Sequence, residues 1–413
     1  MAQYLGHLRR NSAQGVTTDL VRADEYVSKA LTRELLLGRA RELAEPLRSR
    51  AAETEALRHV PHESVESIVG AQLMRIATPR KFGGLDVPYE TMLEAAVILG
   101  SGCGSTGWCY ALWAVDSWIA GLFSLPAQEE IFETGPDVLI SGTYNPMAGR
   151  LTTAPGGYRL NGHWEFASGC HWCAWIFLGC RGPDDEVMWV ALPRDDVKIV
   201  DTWHVFGLRG TSSNDIVVND LFVPEHRTLR VKDIAAGGPD VGAWQIHHQA
   251  RYWLPFRSIL VWDLVAPGVG IARGAVDEFA ARFSQRHGVG RSAESGSVQT
   301  RLIESSAEVD AAHALMRQDL AEMFQKAKAG QSLSPTDIAR YERDKAYVAT
   351  VCLRAVHRLY DVAGGHALFN SDPLQRMYRD ATAVAHRDRL VLDFGGENFA
   401  RLSLGLEPLP RVY

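Results

Sequence analysis

The chain has 413 residues, 46% hydrophobic and 22% charged, and its 43 basic against 49 acidic side chains leave a net charge of −6. That balance excludes nucleic-acid binding through a strongly basic surface, the apolar content excludes wholesale disorder, and the length predicts two or three domains. No apolar run is read as reaching the ~20 residues of a bilayer span, and Arg9-Arg10-Asn11 does not fit a signal peptide, so a cytoplasmic protein without membrane contact is expected.

From about residue 24 to 133 the apolar pattern is helical. Leu31, Leu35, Leu36, Leu43 and Leu47 recur at helical steps on one amphipathic face. Pro61 opens a second helix with Val65, Ile68 and Leu73 on its face, ended by the breaker cluster at 78–88. Two more helices are predicted over 89–99 and 105–122. From about 137 to 230 the period becomes two. Runs such as VLISGT, AWIFLGC, VMWVALP and DIVVNDLFVP are short and rich in β-branched and aromatic residues, as the strands of a small barrel or sandwich are. Asn161-Gly162, between YRL and HWEF, carries the two-residue signature of a type I′ hairpin. Beyond about 244 the chain reads as helix again. Val298, Leu302, Val309, Met316, Leu320 and Met323 share one face of a long helix bounded by Gly296 and Gly330. The predicted fold is α+β: an N-terminal helical domain over 1–135, a β domain over 136–232 and a C-terminal helical bundle over 233–413.

Six cysteines, Cys103, Cys109, Cys170, Cys173, Cys180 and Cys352, are too few for a disulfide scaffold at this length. Cys170 and Cys173 have C-x-x-C spacing without a second pair. In a chain read as extended, residues three apart point to opposite faces, so these sulfurs are expected to be structural. Gly102 to Gly107 spell G-x-G-x-x-G, yet the preceding segment is helix-patterned, which predicts a helix–helix turn rather than a dinucleotide site. P-loop, H-E-x-x-H and G-x-S-x-G motifs are absent. His59 with His62 and His247 with His248 read as surface or capping residues, so no metal site is predicted.

What remains is a concentration of aromatic and hydroxyl side chains in the β domain: Ser141, Tyr144, Trp164, Phe166, Ser168, Trp172 and Trp175. Most suit a barrel core. Ser168 stands apart, because a hydroxyl in a bulky apolar strand needs a partner, and Gly169 beside it lets a planar ligand approach the backbone. His386 lies in a charged run of a predicted C-terminal helix; a solvated helix face and an acid–base group are its two readings.

The order helices, β domain, helical bundle resembles the acyl-CoA dehydrogenase fold over about residues 25–410. The resemblance is carried by RKFGGLD (80–86), STGWCYALWAV (105–115), ISGTYNPMAGR (140–150), NGHWEFASGCHWCAW (161–175), FGLRGTSSNDIVVNDLFVP (206–224) and PLQRMYRDATAVAH (373–386). The W-x-F-x-S-G-C run and the histidine after Arg379-Asp380 are more specific. They are similar to the group D reduced-flavin-dependent monooxygenases on this fold, the oxygenase components of p-hydroxyphenylacetate hydroxylase and related two-component systems. Acyl-CoA dehydrogenases carry a catalytic glutamate just after the Arg-Asp-Ala segment; here Thr382-Ala383-Val384-Ala385-His386 follows Ala381 instead.

The resemblance implies reduced FMN, with FADH2 as the alternative, delivered by a separate NAD(P)H:flavin reductase. It implies O2 as co-substrate, a flavin C4a-hydroperoxide that hydroxylates a phenolic or fused-ring aromatic substrate, and a homotetramer. By the same resemblance Ser168 bonds flavin N5, Trp164 and Phe166 border the ring, and Arg286 with Gly364 and Gly365 holds the flavin phosphate across a subunit contact. His386 serves as acid or base near flavin and substrate. Trp113, Asp116 and Ser141 belong to the substrate pocket, Asp116 standing where family members often have a histidine. Two alternatives share the fold, an acyl-CoA dehydrogenase-like oxidoreductase and an N- or S-oxygenase; a third is a helical assembly protein that binds no flavin.

Overall fold

The computed structural model describes residues 32–285 and 293–409. Helix α1 (32–49) buries Leu36, Leu37, Ala40 and Leu47; of the predicted face Leu36 and Leu47 are buried and Leu43 is half-buried, while Leu35 is exposed and Leu31 lies outside the described residues. It is followed by α2 (Ala51–Leu57), α3 (His62–Gly70), α4 (Glu90–Gly102), α5 (Gly104–Ala120) and α6 (Leu125–Ile131). Pro61 occupies the N-cap of α3. Ser124 caps α6 by accepting the Ala127 amide. Every residue of α5 except Leu112 is buried, which is what a helix apolar on all sides requires.

The β domain is one sheet of eight strands: β1 (Ile140–Thr143), β2 (Gly149–Ala154), β3 (Gly157–Ala167), β4 (Trp175–Arg181), β5 (Val187–Pro193), β6 (Lys198–Val200), β7 (Asn214–Pro224) and β8 (Thr228–Arg230). Their order is β6-β7-β3-β2-β4-β5-β8, with β1 joined parallel to β4. Trp164 and Ile216 from one half of that order share a core with Ile176 and Val190 from the other, so the sheet curls around a core of its own. Two local expectations fail here. Asn161-Gly162 is no hairpin: β3 runs through it, and the turn lies one step earlier, at Gly156 (φ +78°) between β2 and β3. Gly162 is small for another reason, since a Cβ there would meet the Trp164 ring at 2.4 Å. The Cys170–Cys173 run is a turn rather than extended chain, with both thiols free and buried.

Three short helices, α7 (Lys232–Ala235), α8 (Gly242–His247) and α9 (Phe256–Ile259), lead to a bundle of α10 (Trp262–Ser284), α11 (Gly296–Lys328), α12 (Pro335–Val362) and α13 (Pro373–Ala385), trailed by α14 (Leu392–Gly395) and α15 (Glu397–Ser403). The predicted face of α11 is the buried one, with Val298, Val309, Met316, Leu320 and Met323 all inside. Helix α10 corrects the reading of apolar runs: with α9 it is long and apolar enough to cross a bilayer by composition, but 83% of its most apolar window is buried in the protein. Glycine lets it cross α4 at backbone distance, since a Cβ on Gly270 would come within 2.2 Å of Val97 O and one on Gly100 within 2.8 Å of Pro267 O. The G-x-G-x-x-G run belongs to the same crossing, because a Cβ on Gly107 would lie 2.5 Å from Gly100 Cα. On its other side α5 meets the end of β3, where Trp108 and Trp113 reach Ser168 and Gly169.

Candidate active site

Strand β3 is distorted as it approaches Ser168. Trp164 to Ala167 faces Ile216 to Asn214 of β7, one residue more on the β3 side, and such a bulge re-aims side chains. Phe166 takes up the extra length in the left-handed region at φ +67°, and its ring, 47% exposed, turns out of the sheet. A bulky residue held at positive φ and left uncovered marks a site. Ser168 then turns inward. It is 6% exposed; its Oγ accepts the indole N–H of Trp108 on α5 at 3.1 Å and lies 2.7 Å from Ser213 Oγ. Gly169 follows at φ +73°, with the Trp113 indole where a Cβ would sit and that indole N–H donated to Gly169 O at 3.2 Å.

The facing wall is the loop before β7. It contains two non-glycine residues in the left-handed region, Leu208 (φ +52°) and Ser212 (φ +44°), and α13 holds it in place. Asp380 Oδ1 accepts the Leu208 amide at 2.7 Å; Arg379 donates to Phe206 O at 3.0 Å and pairs with Glu55 of α2 at 2.6 Å. Gly207 passes so close that a Cβ would be 2.0 Å from Arg379 O. Burial pushes the Asp380 carboxyl up to about 6. The Arg-Asp pair of the C-terminal segment is therefore engaged in shaping this loop.

Between the two walls lies a cleft. Trp108, Phe166, Trp203 and Leu208 supply its apolar surface, Ser168, Thr211 and Ser213 its hydroxyls, and Ala383 with Arg387 its bundle side. The Arg387 guanidinium lies 5.6 Å from the centre of the Phe166 ring, with Trp203 edge-on at 6.0 Å. Among the described residues that line it there is no carboxylate.

Residues 263–388 match the family described as "Acyl-CoA dehydrogenase, C-terminal domain". The chain is 34% identical over 389 residues to the "FADH(2)-dependent resorcinol hydroxylase, oxygenase component" of Rhizobium sp. (strain MTP-10005), covering 90% of this chain and 95% of that one. It belongs to the oxygenase components of two-component flavin-dependent monooxygenases. It is also 33% identical over 372 residues to the HsaA oxygenase subunit of Mycobacterium tuberculosis (strain ATCC 25618 / H37Rv), covering 86% of this chain and 92% of the relative. Its fold matches the crystal structure of 3-HSA hydroxylase from Rhodococcus sp. RHA1 with a TM-score of 0.87 at 30% identity, over 91% of this chain and 98% of that one.

The lining of the cleft in this oxygenase suits a flavin in its chemistry. A tricyclic ring has apolar faces and a polar edge, and the cleft offers an uncovered phenylalanine ring, buried hydroxyls and one arginine. Of the residues singled out in the sequence, Ser168 and Phe166 line it. Ser141 and Trp113 stand behind it: Ser141 Oγ donates to Ser168 O at 2.8 Å, as Trp113 donates to Gly169 O. Trp164 is a correction. It is wholly buried in the core of the sheet, its indole N–H donated to Gly179 O at 2.6 Å, because the bulge after it separates its face from that of Phe166.

His386 does not line the cleft. It is exposed at the C-cap of α13, with Nδ1 2.8 Å from Thr382 O, and its neighbour Arg387 lines the cleft instead. Asp116 is buried on α5 and lines no part of the cleft; Tyr144 donates its hydroxyl to Oδ1 at 2.5 Å, Oδ2 has no partner, and burial pushes the carboxyl well above its ordinary range. Gly364 (φ +88°) and Gly365 precede the N-terminus of α13, a helix about 20 Å long whose other end reaches Arg387; one chain does not bring them to the cleft. Arg286 lies outside the described residues. Sequence reasoning missed Trp108, Trp203, Thr211, Ser213 and Arg387. The hydroxyl run Thr211-Ser212-Ser213 between two strand-patterned segments was the one available signal.

Proposed function

We propose that this oxygenase binds a reduced flavin in the Ser168 cleft and uses it with O2 to hydroxylate a phenolic or fused-ring aromatic substrate. The observation that carries this is the buried Ser168 hydroxyl beside the uncovered Phe166 ring, in a cleft lined by no carboxylate. The absent carboxylate weighs against the acyl-CoA dehydrogenase reading, since abstraction of a thioester α-proton needs a base; the one acid of the Arg379-Asp380 pair is occupied by the Leu208 amide.

When bound, the reduced flavin supplies the electrons and the centre at which oxygen is activated. The chain supplies placement. Phe166 and Trp203 present aromatic surface to the ring, Ser168 takes its polar edge, Trp108 holds the Ser168 hydroxyl from the cleft wall and Ser141 holds its carbonyl from behind. Arg387 favours the negative charge of a reduced flavin. Leu208 and the indoles keep water from the reacting centre. The relative at 34% identity is named FADH(2)-dependent, which favours FADH2 over the FMN expected from the resemblance; anaerobic titration with each reduced flavin separates the two. With no nicotinamide motif in the sequence, the reduced flavin comes from a separate NAD(P)H:flavin reductase. A homotetramer is supported by large apolar side chains exposed toward the C-terminus, among them Leu368, Phe369, Phe394 and Leu404, and sedimentation at four times the chain mass is its test.

The deciding experiment for the reaction is a single turnover. Enzyme and reduced flavin mixed anaerobically are exposed to ¹⁸O₂ with a panel of phenols, and one labelled oxygen atom per hydroxylated product is expected. Flavin that binds and reoxidises while no phenol, indole or fused-ring compound acquires label would end this reading.

A further inference from the structure

The hydrogen bonds around Ser168 have a direction that can be worked out proton by proton. Leu208 O is a carbonyl and can only accept, and Thr211 Oγ1 lies 2.9 Å from it, so the single hydroxyl proton of Thr211 points there. The 2.7 Å contact between Thr211 and Ser213 then takes its proton from Ser213. The 2.7 Å contact between Ser213 and Ser168 takes its proton, in turn, from Ser168. On the other side of Ser168, the Trp108 indole N–H can only donate, and it does so at 3.1 Å. Ser168 thus has its proton committed to Ser213 and one lone pair left over. Leu208 O also receives the Trp203 indole N–H at 2.9 Å and the Thr211 amide at 3.2 Å, so the reverse direction leaves that carbonyl satisfied but sets the Thr211 and Leu208 oxygens 2.9 Å apart with no proton between them, a repulsive contact. Thr211 and Ser213 are themselves buried, so bulk water does not reset the chain.

We infer that Thr211 and Ser213 are positioning residues that fix Ser168 as a hydrogen-bond acceptor toward the cleft, and that through them the site selects reduced over oxidised flavin. This rests on the flavin reading above. A reduced flavin carries an N–H donor on its central ring where the oxidised form carries a lone pair. An acceptor meets the first and opposes the second. The discrimination suits a chain that takes flavin from a diffusing pool, because the spent cofactor is the form that the site holds less well.

The test measures dissociation constants for oxidised and for anaerobically reduced flavin in the full chain, for the wild type, Thr211→Val, Thr211→Ser and Ser213→Ala, with far-UV circular dichroism to confirm folding. Thr211→Val removes the terminal hydroxyl at nearly constant shape, so Ser213 can turn its proton onto Ser168 and free the Ser168 proton for the cleft. Ser213→Ala frees the same proton directly. Both variants are expected to bind oxidised flavin more tightly, lowering the oxidised-to-reduced ratio of dissociation constants by about tenfold, while Thr211→Ser keeps the wild-type ratio. An unchanged ratio, or equal weakening for both redox states, overturns the inference, since a merely structural role would weaken both alike. Should Thr211→Val not fold, Ser213→Ala decides. A folded wild type that binds neither form overturns the flavin reading itself.

Discussion

The cleft and the seam between α11 and α12 both bury polar side chains, with opposite chemistry. At the cleft the groups are hydroxyls, and Thr211, Ser213 and Ser168 each have partners on both sides. In the seam they are carboxyls. Asp319 receives Arg340 at 2.7 Å and Asp344 receives Arg343 at 2.6 Å, yet one oxygen of each acid has no hydrogen-bond partner, that of Asp344 having only the Arg340 guanidinium at 3.9 Å. Burial, aided by the charge of Asp344, pushes Asp319 up to about 7. The first cluster encodes a direction that does not titrate near neutral pH. The second encodes charge and changes with pH. The hydroxyls that line the cleft are groups that protons leave alone, and the pH sensitivity falls on the seam and on Asp380, which holds the cleft's loop from behind.

The largest expected effect breaks the cleft side alone. Gly169→Ala puts a Cβ 2.2 Å from Trp113 Nε1 at φ +73°, which should lower stability by about 2–5 kcal/mol in urea unfolding, without altering how stability varies with pH. Ser168→Ala is milder. It leaves the Trp108 N–H and the Ser213 hydroxyl short of a partner, for about 1–3 kcal/mol, and should raise the share of hydrogen peroxide over hydroxylated product; an unchanged share would remove Ser168 from the reaction. On the other side of the comparison, the raised Asp319 pKa means its stabilising contribution is complete below about pH 4 and disappears as pH climbs through about 7. Asp319→Asn should therefore melt with wild type at pH 4 and roughly 2–4 °C above it at pH 8. Asp263 and Asp380, each pushed to about 6 by burial, keep part of the slope in the variant. Equal melting shifts at both pH values would contradict the assignment to the seam. The smallest effect belongs to His386→Ala, expected to change flavin affinity by less than about twofold, because Arg387 rather than His386 borders the cleft.

The architecture was legible because long periodic segments report their own class. Helix α11 came out on its predicted face, α5 as the buried helix its composition demands, and the glycine motif as a helix crossing. What failed depended on distant partners. The Asn161-Gly162 turn is overridden by β7, which pairs with β3 on both sides of it. Trp164 and Phe166 share a face under plain alternation and are separated by one inserted residue whose only trace is a register shift against β7. Ser168 was legible as a hydroxyl out of place. Its partners Thr211 and Ser213 follow some 40 residues later, and only folding shows that they complete one chain. His386 was singled out by the family resemblance and by histidine's ease of titration, neither of which reports that Arg387, one residue on, borders the cleft.

The contacts of Arg379 and Asp380 have an outcome for excision and for exchange. The β domain owns a core that α13 does not enter, so a shortened chain ending before the bundle is expected to retain the sheet and forfeit the ordered loop. In the intact protein the Leu208 amide is tied to the Asp380 carboxylate, and deuterium uptake at that single position should track the opening of the C-terminal helices rather than that of the strands on either side.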